Sequence, residues 1–570
     1  MSLLRINIPL RRTVSLADLF VLAGLGAILY GLLMVGREWT DVLRPVVKID
    51  LSPLALPKYT FFSLMRGVLA YGCSLVFTLI YGYVAAYNQR AEKVMLPVLD
   101  ILQSLPVLTF LPGFVIAAIT LFPGTNVGLE IACVLMIFTG QAWNMTFSFY
   151  SSLRAIPQEL REVAVIHNFS WWRRFTQLEL PYTMIGLVWN SMMSMAGGWF
   201  FLMVTEAFTL GKNDFRLPGI GSYMTVAARE GNNSAMVYGV VAMILMIVIV
   251  DQVIWKPIVV WSDKFKFEDT SSGRVRQSWV LNLLRSSHVA ARVGALVRRF
   301  LTYIDGFFER QNKPVRPVPH PRRRIAPVVA MVVIGSLSLI GFIKLFSLLT
   351  TVPVHAWSEL FLRAGATFLR VLGALILATL WTIPVGVAIG RSERLSRILQ
   401  PVVQTAASFP APMLFPVVVI VMHELGISFE VGAMVLMMLG TQWYILFNTI
   451  AGATAIPADL IEAAEVYRLG TIEKWRKLIL PSLFPFLVTG WLTAAGGAWN
   501  ASIVAEYENY SSTTFVAFGL GSSISISTDA GDFAVLAASA GLMVMIVVAM
   551  NRFLWKRLYG IAQTRYSMNK

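Results

Sequence analysis

Residues 156–181, IPQELREVAVIHNFSWWRRFTQLELP, and residues 456–481, IPADLIEAAEVYRLGTIEKWRKLILP, are two copies of one polar segment in an otherwise apolar chain. They align without a gap between their flanking prolines, at an offset of 300 positions. A fold that presents one copy must present the other in the same way, so the chain is constrained to two like halves. The repeat reaches further: Gly140 matches Gly440, Trp143 matches Trp443, Trp199 matches Trp499 and Glu206 matches Glu506. Gly219 and Gly221 match Gly519 and Gly521, and Trp255-Lys256 matches Trp555-Lys556. Upstream the offset becomes 304, pairing Pro97 with Pro401, Pro106 with Pro410 and Pro112 with Pro416. The change of offset falls near Pro123-Gly124-Thr125-Asn126, a turn-like stretch that absorbs a length difference easily.

The medium that surrounds these halves follows from composition. Of 570 residues, 56% are hydrophobic and only 14% charged, and the mean hydropathy is +0.67. Soluble domains average about a quarter charged residues, and several apolar runs here approach the roughly 20 residues that cross a bilayer. Six spans are expected in the first half, near 17–36, 63–88, 98–122, 127–152, 182–206 and 235–261. Six more are expected near 326–349, 362–390, 402–423, 430–453, 482–506 and 532–555. The fold class is therefore all-α, a polytopic membrane protein with about 12 transmembrane helices. An even number of crossings gives both halves the same orientation, an arrangement that leaves a shared pathway between them.

Charge placement sets the topology. The net charge of +16 is concentrated: residues 263–324 hold 14 Lys/Arg against five Asp/Glu. Such an excess marks a cytoplasmic segment rather than a nucleic-acid site. The expected division is residues 1–262, a basic linker at 263–324, and residues 325–570, with both termini cytoplasmic. Arg5, Arg11 and Arg12 precede the first apolar run, which is read as a retained span because no small-residue cleavage site follows it. Within the linker, Arg285, Arg292 and Arg299 recur at heptad spacing with Val289, Val293, Leu296 and Val297 between them. That pattern fits a basic amphipathic helix on the inner leaflet, and equally a solvated linker helix.

Several chemistries are excluded by spacing. Cys73 and Cys133 both sit in apolar runs and form no disulfide framework or metal site, and the five histidines show no ligand spacing. No phosphate-binding loop occurs, since Gly211-Lys212 is followed by Asn213 with no glycine five residues before it. No nucleophile–base pair suggests an enzyme.

The polar segments themselves read as short helices outside the bilayer. Pro157 and Pro457 stop the preceding span because proline lacks the donor a continuing helix needs. Glu162 and Glu462 are favoured near a helix start by the macrodipole. Small residues follow, Val163-Ala164 and Ala463-Ala464, letting the backbone approach a partner closely. Pro181 and Pro481 suit the first turn of the next span. Duplicated on one side of a duplicated bundle, they form a docking device for a two-fold symmetric partner.

Each segment resembles the EAA motif of permease subunits of binding-protein-dependent ABC importers. The second copy supplies Glu462-Ala463-Ala464 and Ile479-Leu480-Pro481, the first Glu162-Val163-Ala164 and Leu180-Pro181. The family's glycine, six residues after the glutamate, is replaced by Asn168 and Arg468, with Gly470 two residues beyond the latter. Asn tolerates a left-handed turn; Arg does so poorly. Ile389-Gly390-Arg391-Ser392, Asn448-Thr449-Ile450-Ala451-Gly452 and Ala498-Trp499-Asn500…Ala505-Glu506 look like the nitrate/sulfonate/taurine branch. The resemblance implies two tandem six-helix type I importer permease units in a bacterial inner membrane. It implies a translocation subunit that takes a small anionic solute from an extracytoplasmic binding protein. It also implies ATP and Mg on two separate cytoplasmic ATPase subunits and none on this chain. Glu162, Val163, Ala164, Asn168, Glu462, Ala463, Ala464 and Gly470 would make the coupling contacts.

Trp143, Asn144, Trp443, Trp499 and Asn500 are candidates to line the pathway, because polar groups within spans usually face the protein interior. Packing or interfacial anchoring explains the tryptophans equally well. Glu206 and Glu506, at span ends, are read as holding backbone donors of the following loops, Ala207–Ser234 and Tyr507–Asp532. Asp251, matched by Asn551, is read as a polar contact at the end of a last span. The alternative function is a secondary transporter with parallel six-helix halves driven by an ion gradient. The solute, and whether identical ATPases meet both loops, are not encoded legibly.

Overall fold

A computed structural model describes residues 15–41, 47–211, 213–265, 278–311, 325–511 and 513–566. Arg5, Arg11, Arg12 and Lys212, and the linker residues 266–277 and 312–324, lie outside the described residues. Among the described residues nine helices are long and apolar enough to cross a membrane, from Leu16–Thr40 to Phe533–Arg565. Two bent pairs raise the number to eleven. The helix Ile325–Leu349 stands where a twelfth span was expected, and its described apolar stretch is Leu339–Leu349.

The single spans expected at 98–122 and 402–423 are corrected. Gln89–Gln103 meets Val107–Leu121 at 89°, and Glu393–Ser408 meets Ala411–Glu424 at 82°. Each break lies before a proline. Leu105 and Phe409 are extended, with ψ of 136° and 129°, because the rings of Pro106 and Pro410 clash with a helical residue in front of them.

The all-α expectation holds, with two short hairpins set inside it. Ala207–Leu210 pairs antiparallel with Asn213–Arg216, and Tyr507–Tyr510 with Thr513–Val516, in the same register at the repeat offset. Gly211 and Ser511 supply the left-handed turn residues, with φ of 59° and 47°. Most of the rest of each loop is helical, Ile220–Arg229 and Leu520–Ala530. The duplication also reaches π-helical turns at Phe175–Glu179 and Trp475–Ile479, and at Asp251–Trp255 and Asn551–Trp555.

Contacts group the chain into two units that do not coincide with its sequence halves. One comprises Met1–Glu38, Ser151–Trp189 and Ile249–Pro321. In it the Asp18 carboxylate, in the first turn of the span Leu16–Thr40, accepts from Ser287 Oγ at 2.7 Å and from the Val289 backbone N–H at 3.0 Å. That bond caps the linker helix His288–Gln311. Trp172 Nε1 donates to Asp305 Oδ1 at 2.7 Å near the helix's far end.

The other unit comprises Trp39–Tyr150, Asn190–Val248 and Arg322–Lys570. Its long helices approach through small residues. A Cβ at Gly67 would overlap the Trp199 ring, one at Gly82 the Phe149 ring and one at Gly386 the Thr449 side chain. Small side chains let helices close in a medium that offers no hydrophobic drive between them. The core is correspondingly sealed, with Phe149, Leu202, Leu436 and Met437 at 0% exposure.

Candidate functional site

The polar segments fold as equivalent turns. Gln158–Ile166 and Ala458–Val466 are helices of nine residues, entered through Pro157 and Pro457. Both end on a Schellman arrangement, Phe169 N–H donating to Ala164 O at 2.9 Å and Leu469 N–H to Ala464 O at 3.0 Å. Asn168 and Arg468 are the left-handed residues, with φ of 49° and 51°. Gly470 is not: its φ is −63°, and it caps the next helical turn, Thr471–Lys474. The conformation the family's glycine would supply is thus taken by an arginine, against its intrinsic preference.

In each helix one alanine faces inward, Ala164 at 3% and Ala464 at 5% exposure, while Glu162 and Glu462 face solvent. Gln158 Nε2 donates to Glu162 Oε1 at 3.0 Å. Large apolar side chains are left uncovered beside them: Val165 and Ile166 in one copy, Val466, Tyr467 and Ile472 in the other. Apolar groups beside a fixed carboxylate, on an element outside the spans, are the makings of a protein contact.

The opposite helix ends carry two charge clusters. Arg66 Nε and Nη2 fork onto Glu130 at 2.6 and 2.7 Å, and Nη1 reaches Glu206 Oε1 at 2.6 Å and Pro218 O at 2.9 Å. Ser63 Oγ donates to Glu206 Oε1 at 2.7 Å and accepts from Ile220 N–H at 2.9 Å. Gly221 N–H donates to Glu206 Oε2 at 2.7 Å. The same partners recur in the second half, with a single-pronged contact in place of the fork. Arg370 Nη1 donates to Glu506 Oε1 at 2.6 Å, while its Nη2 pairs with Glu430 and reaches Phe518 O at 2.9 Å. Thr367 Oγ1 donates to Glu506 Oε1 at 2.8 Å and accepts from Leu520 N–H at 2.8 Å, and Gly521 N–H donates to Glu506 Oε2 at 2.8 Å. Glu206 and Glu506 therefore accept backbone donors of the loops that follow them. Gly219 and Gly519 have to be glycines, since a Cβ at either would overlap the carboxylate.

Arg66, Arg370, Glu130 and Glu430 were not found from sequence. The signal was present: the offset of 304 carries Ser63 to Thr367 and Arg66 to Arg370. Among the described residues no group of His, Cys, Asp and Glu is arranged to hold a metal ion.

Beneath the two hairpins lies a cavity of about 200 Å³ lined by residues of both sequence halves. Its polar wall holds Thr209, Arg229, Tyr507, Glu508, Asn509 and Asp529; Leu111, Pro112 and Pro416 belong to the apolar wall. Arg229 donates to Asp214 Oδ2 at 3.2 Å and Thr209 Oγ1 at 3.3 Å, and Tyr507 OH donates to Asp529 Oδ2 at 2.7 Å. Burial pushes the Glu508 carboxyl up to about 8, with Arg229 opposing the shift. The hairpins close over the cavity by a reciprocal exchange. Gly211 N–H donates to Thr528 O at 2.9 Å, and Ser511 N–H donates to Ala228 O at 3.0 Å.

Two symmetric helical halves, each with its own solvent-facing glutamate turn, match a known architecture in sequence as well. The family model described as "Binding-protein-dependent transport system inner membrane component" matches residues 78–254 and again 382–558, together more than half of the chain. The chain belongs to this family. It is thus a multi-pass transport-system membrane component with two tandem units. It is similar to a nitrate import permease protein of Leptolyngbya laminosa, 27% identical over 147 residues, 26% of this chain and 51% of the relative. A bicarbonate transport system permease protein of Synechococcus elongatus is 29% identical over 147 residues, 26% of this chain and 51% of the relative. A nitrate import permease protein of the same organism is 31% identical over 137 residues, 24% of this chain and 48% of the relative. The chain spans about half the length of these curated relatives.

Within this tandem inner membrane component, the five residues expected along the pathway do not line the cavity. Trp143 stands edge-on to Phe77 and Phe138, at centroid distances of 5.9 and 6.2 Å. Asn144, its neighbour, is exposed. Trp443 packs edge-on to Trp381 against the core of Ile389, Leu446 and Ile450. Trp499 is sealed at 1% exposure, and Asn500 Nδ2 donates to its own helix at Gly496 O, 3.2 Å away.

Proposed function

We propose that the chain is the translocation subunit of an ATP-driven importer for a small, nitrate- or sulfonate-like anion in a bacterial inner membrane. The observation that carries this reading is the pair of capped polar helices, each offering the repeat-matched exposed glutamate, Glu162 or Glu462, beside uncovered apolar side chains. Two cytoplasmic ATPases, forming a homodimer, would each take one helix, with Glu162, Val163, Ala164 and Asn168 on one side and Glu462, Ala463 and Ala464 on the other. The Gly470 turn would border the second contact. ATP and Mg belong to those subunits, and this chain catalyses nothing. Both termini and the linker face the ATPases. The hairpins face an extracytoplasmic binding protein that delivers the solute, and the cavity beneath them is the first chamber the solute meets. Membership of the family and the nitrate and bicarbonate relatives support the solute class.

ATP closure of the ATPase dimer would draw the two helices together and open the hairpin end. The test is the Glu162→Arg/Glu462→Arg double variant, assayed for co-purifying ATPase and solute-stimulated hydrolysis in proteoliposomes. Both should be lost; hydrolysis that stays coupled to solute overturns the reading. A carrier driven by an ion gradient would instead transport with no ATPase present.

A further inference from the structure

The linker helix His288–Gln311 is pinned at both ends. At its start, Asp18 binds Ser287 and Val289 and lies 3.2 Å from His288 Nδ1. Asp18 is the third residue of the membrane span Leu16–Thr40, so the linker helix begins where that span emerges. Near its other end Asp305 accepts from Trp172, four residues past the left-handed Asn168 of the first polar loop. Val289 and Asp305 are 16 rises apart, about 24 Å of helix.

Between the pins the helix is strongly two-sided. Val289, Val293, Leu296, Val297, Phe300 and Ile304 fall on one stripe at helical spacing. Leu296 and Phe300 are 64% and 63% exposed, so within the described residues nothing covers the middle of that stripe. Arg292 and Arg299 run along one flank and Arg298 lies near the opposite face, all exposed. An apolar stripe with a basic flank, starting where a membrane span emerges, is complementary to an anionic leaflet: acyl chains for the stripe, lipid phosphates for the guanidinium groups. The position matching Trp172 is Ile472, which is 82% exposed.

We propose that the linker helix lies in the headgroup layer, bound to anionic phospholipid, and that the Trp172–Asp305 bond passes this contact to the first polar loop alone. Lipid charge then sets the order of one loop and leaves its twin unaffected. The inference does not rest on the importer reading, since it needs neither an ATPase nor a solute.

The full chain serves for the test, reconstituted into vesicles of phosphatidylcholine alone or mixed with phosphatidylglycerol. Cys73 is exposed and Cys133 buried, so a nitroxide is attached to Phe300→Cys in a Cys73→Ser background. With phosphatidylglycerol present, the label should gain collisions with oxygen several-fold over those with a water-soluble nickel chelate. Arg292→Glu/Arg299→Glu should abolish that gain. Amide hydrogen exchange at 163–168 should slow several-fold on adding phosphatidylglycerol, with 463–468 unchanged. Trp172→Phe should erase the slowing while the label stays in lipid. A label open to the nickel chelate in both vesicles overturns the membrane contact, and a label shielded from both reagents assigns the stripe to another protein surface, which also overturns it. A lipid-embedded label with 163–168 and 463–468 responding alike overturns the transmission to one loop.

Discussion

Arg66 and Arg370 grip equivalent partners, yet they sit in different surroundings. Glu130, the outer partner of Arg66, is wholly buried, whereas Glu430, the outer partner of Arg370, has a side chain 48% exposed. The Glu206 and Glu506 carboxylates are both sealed at 0%. Duplication has kept the bond that ties each span to its following loop and relaxed the one that faces outward. A buried ion pair contributes little net stability, but removing one member leaves a buried charge without compensation. The first cluster is therefore the more fragile under substitution, although the two look alike as hydrogen-bond diagrams.

The largest test of that contrast is to delete each guanidinium in turn. Arg66→Ala strands two sealed carboxylates and should lower stability by about 3–5 kcal/mol. Arg370→Ala strands one while solvent reaches the other, so its loss should be nearer 1–3 kcal/mol. Thermal unfolding of the two purified variants ranks them; equal losses would remove the asymmetry.

A smaller difference lies in the cavity. Glu508 stands where the first half has Phe208, so only one half can titrate at this position. Its carboxyl rises from the ordinary value near 4.5 to about 8 in the fold. The folded state then holds a proton that the unfolded chain releases, so stability falls as pH climbs from about 4.5 to 8 and levels off above. Glu508→Gln should flatten that slope, read from melting temperature against pH, while Phe208→Leu should leave it in place. A slope surviving Glu508→Gln assigns it to other groups, of which Asp529 is raised in the same direction by burial.

The smallest effect separates the two polar loops. Arg468 holds a φ of 51° that costs a side-chain-bearing residue roughly 1–2 kcal/mol. Arg468→Gly should recover about 1 kcal/mol, and Asn168→Gly less, because asparagine tolerates that region. Destabilisation by Arg468→Gly would mean that the arginine side chain contributes more than its backbone loses.

How far these features could be read from sequence depended on whether they were local. The polar loops were legible because twenty-six consecutive residues repeat with their prolines in register. Their turn was not, since a rule about residue preference pointed to Gly470 while the Schellman bonds placed the turn at Arg468. The clusters were half-legible. Glu206 and Glu506 stood out as charges at span ends, but their arginines lie 140 and 136 residues away on other helices. The spans expected at 98–122 and 402–423 failed for another reason. Hydropathy does not register a right-angle bend, although Pro106 and Pro410 marked it. The hairpins, of four-residue strands, were too short to show a period of two against the apolar background.

The reciprocal bonds from each hairpin turn to the helix beyond the other hairpin use only main-chain atoms: Gly211 and Ser511 give N–H groups, Thr528 and Ala228 give carbonyls. Side chains at those four positions have drifted apart, glycine from serine and alanine from threonine, without loosening the seam. The two bonds are worth about 1 kcal/mol each, and each joins one half to the other. Each hairpin turn is thus held by the helix that follows the other hairpin, so a shift of either half at this seam is felt by the other.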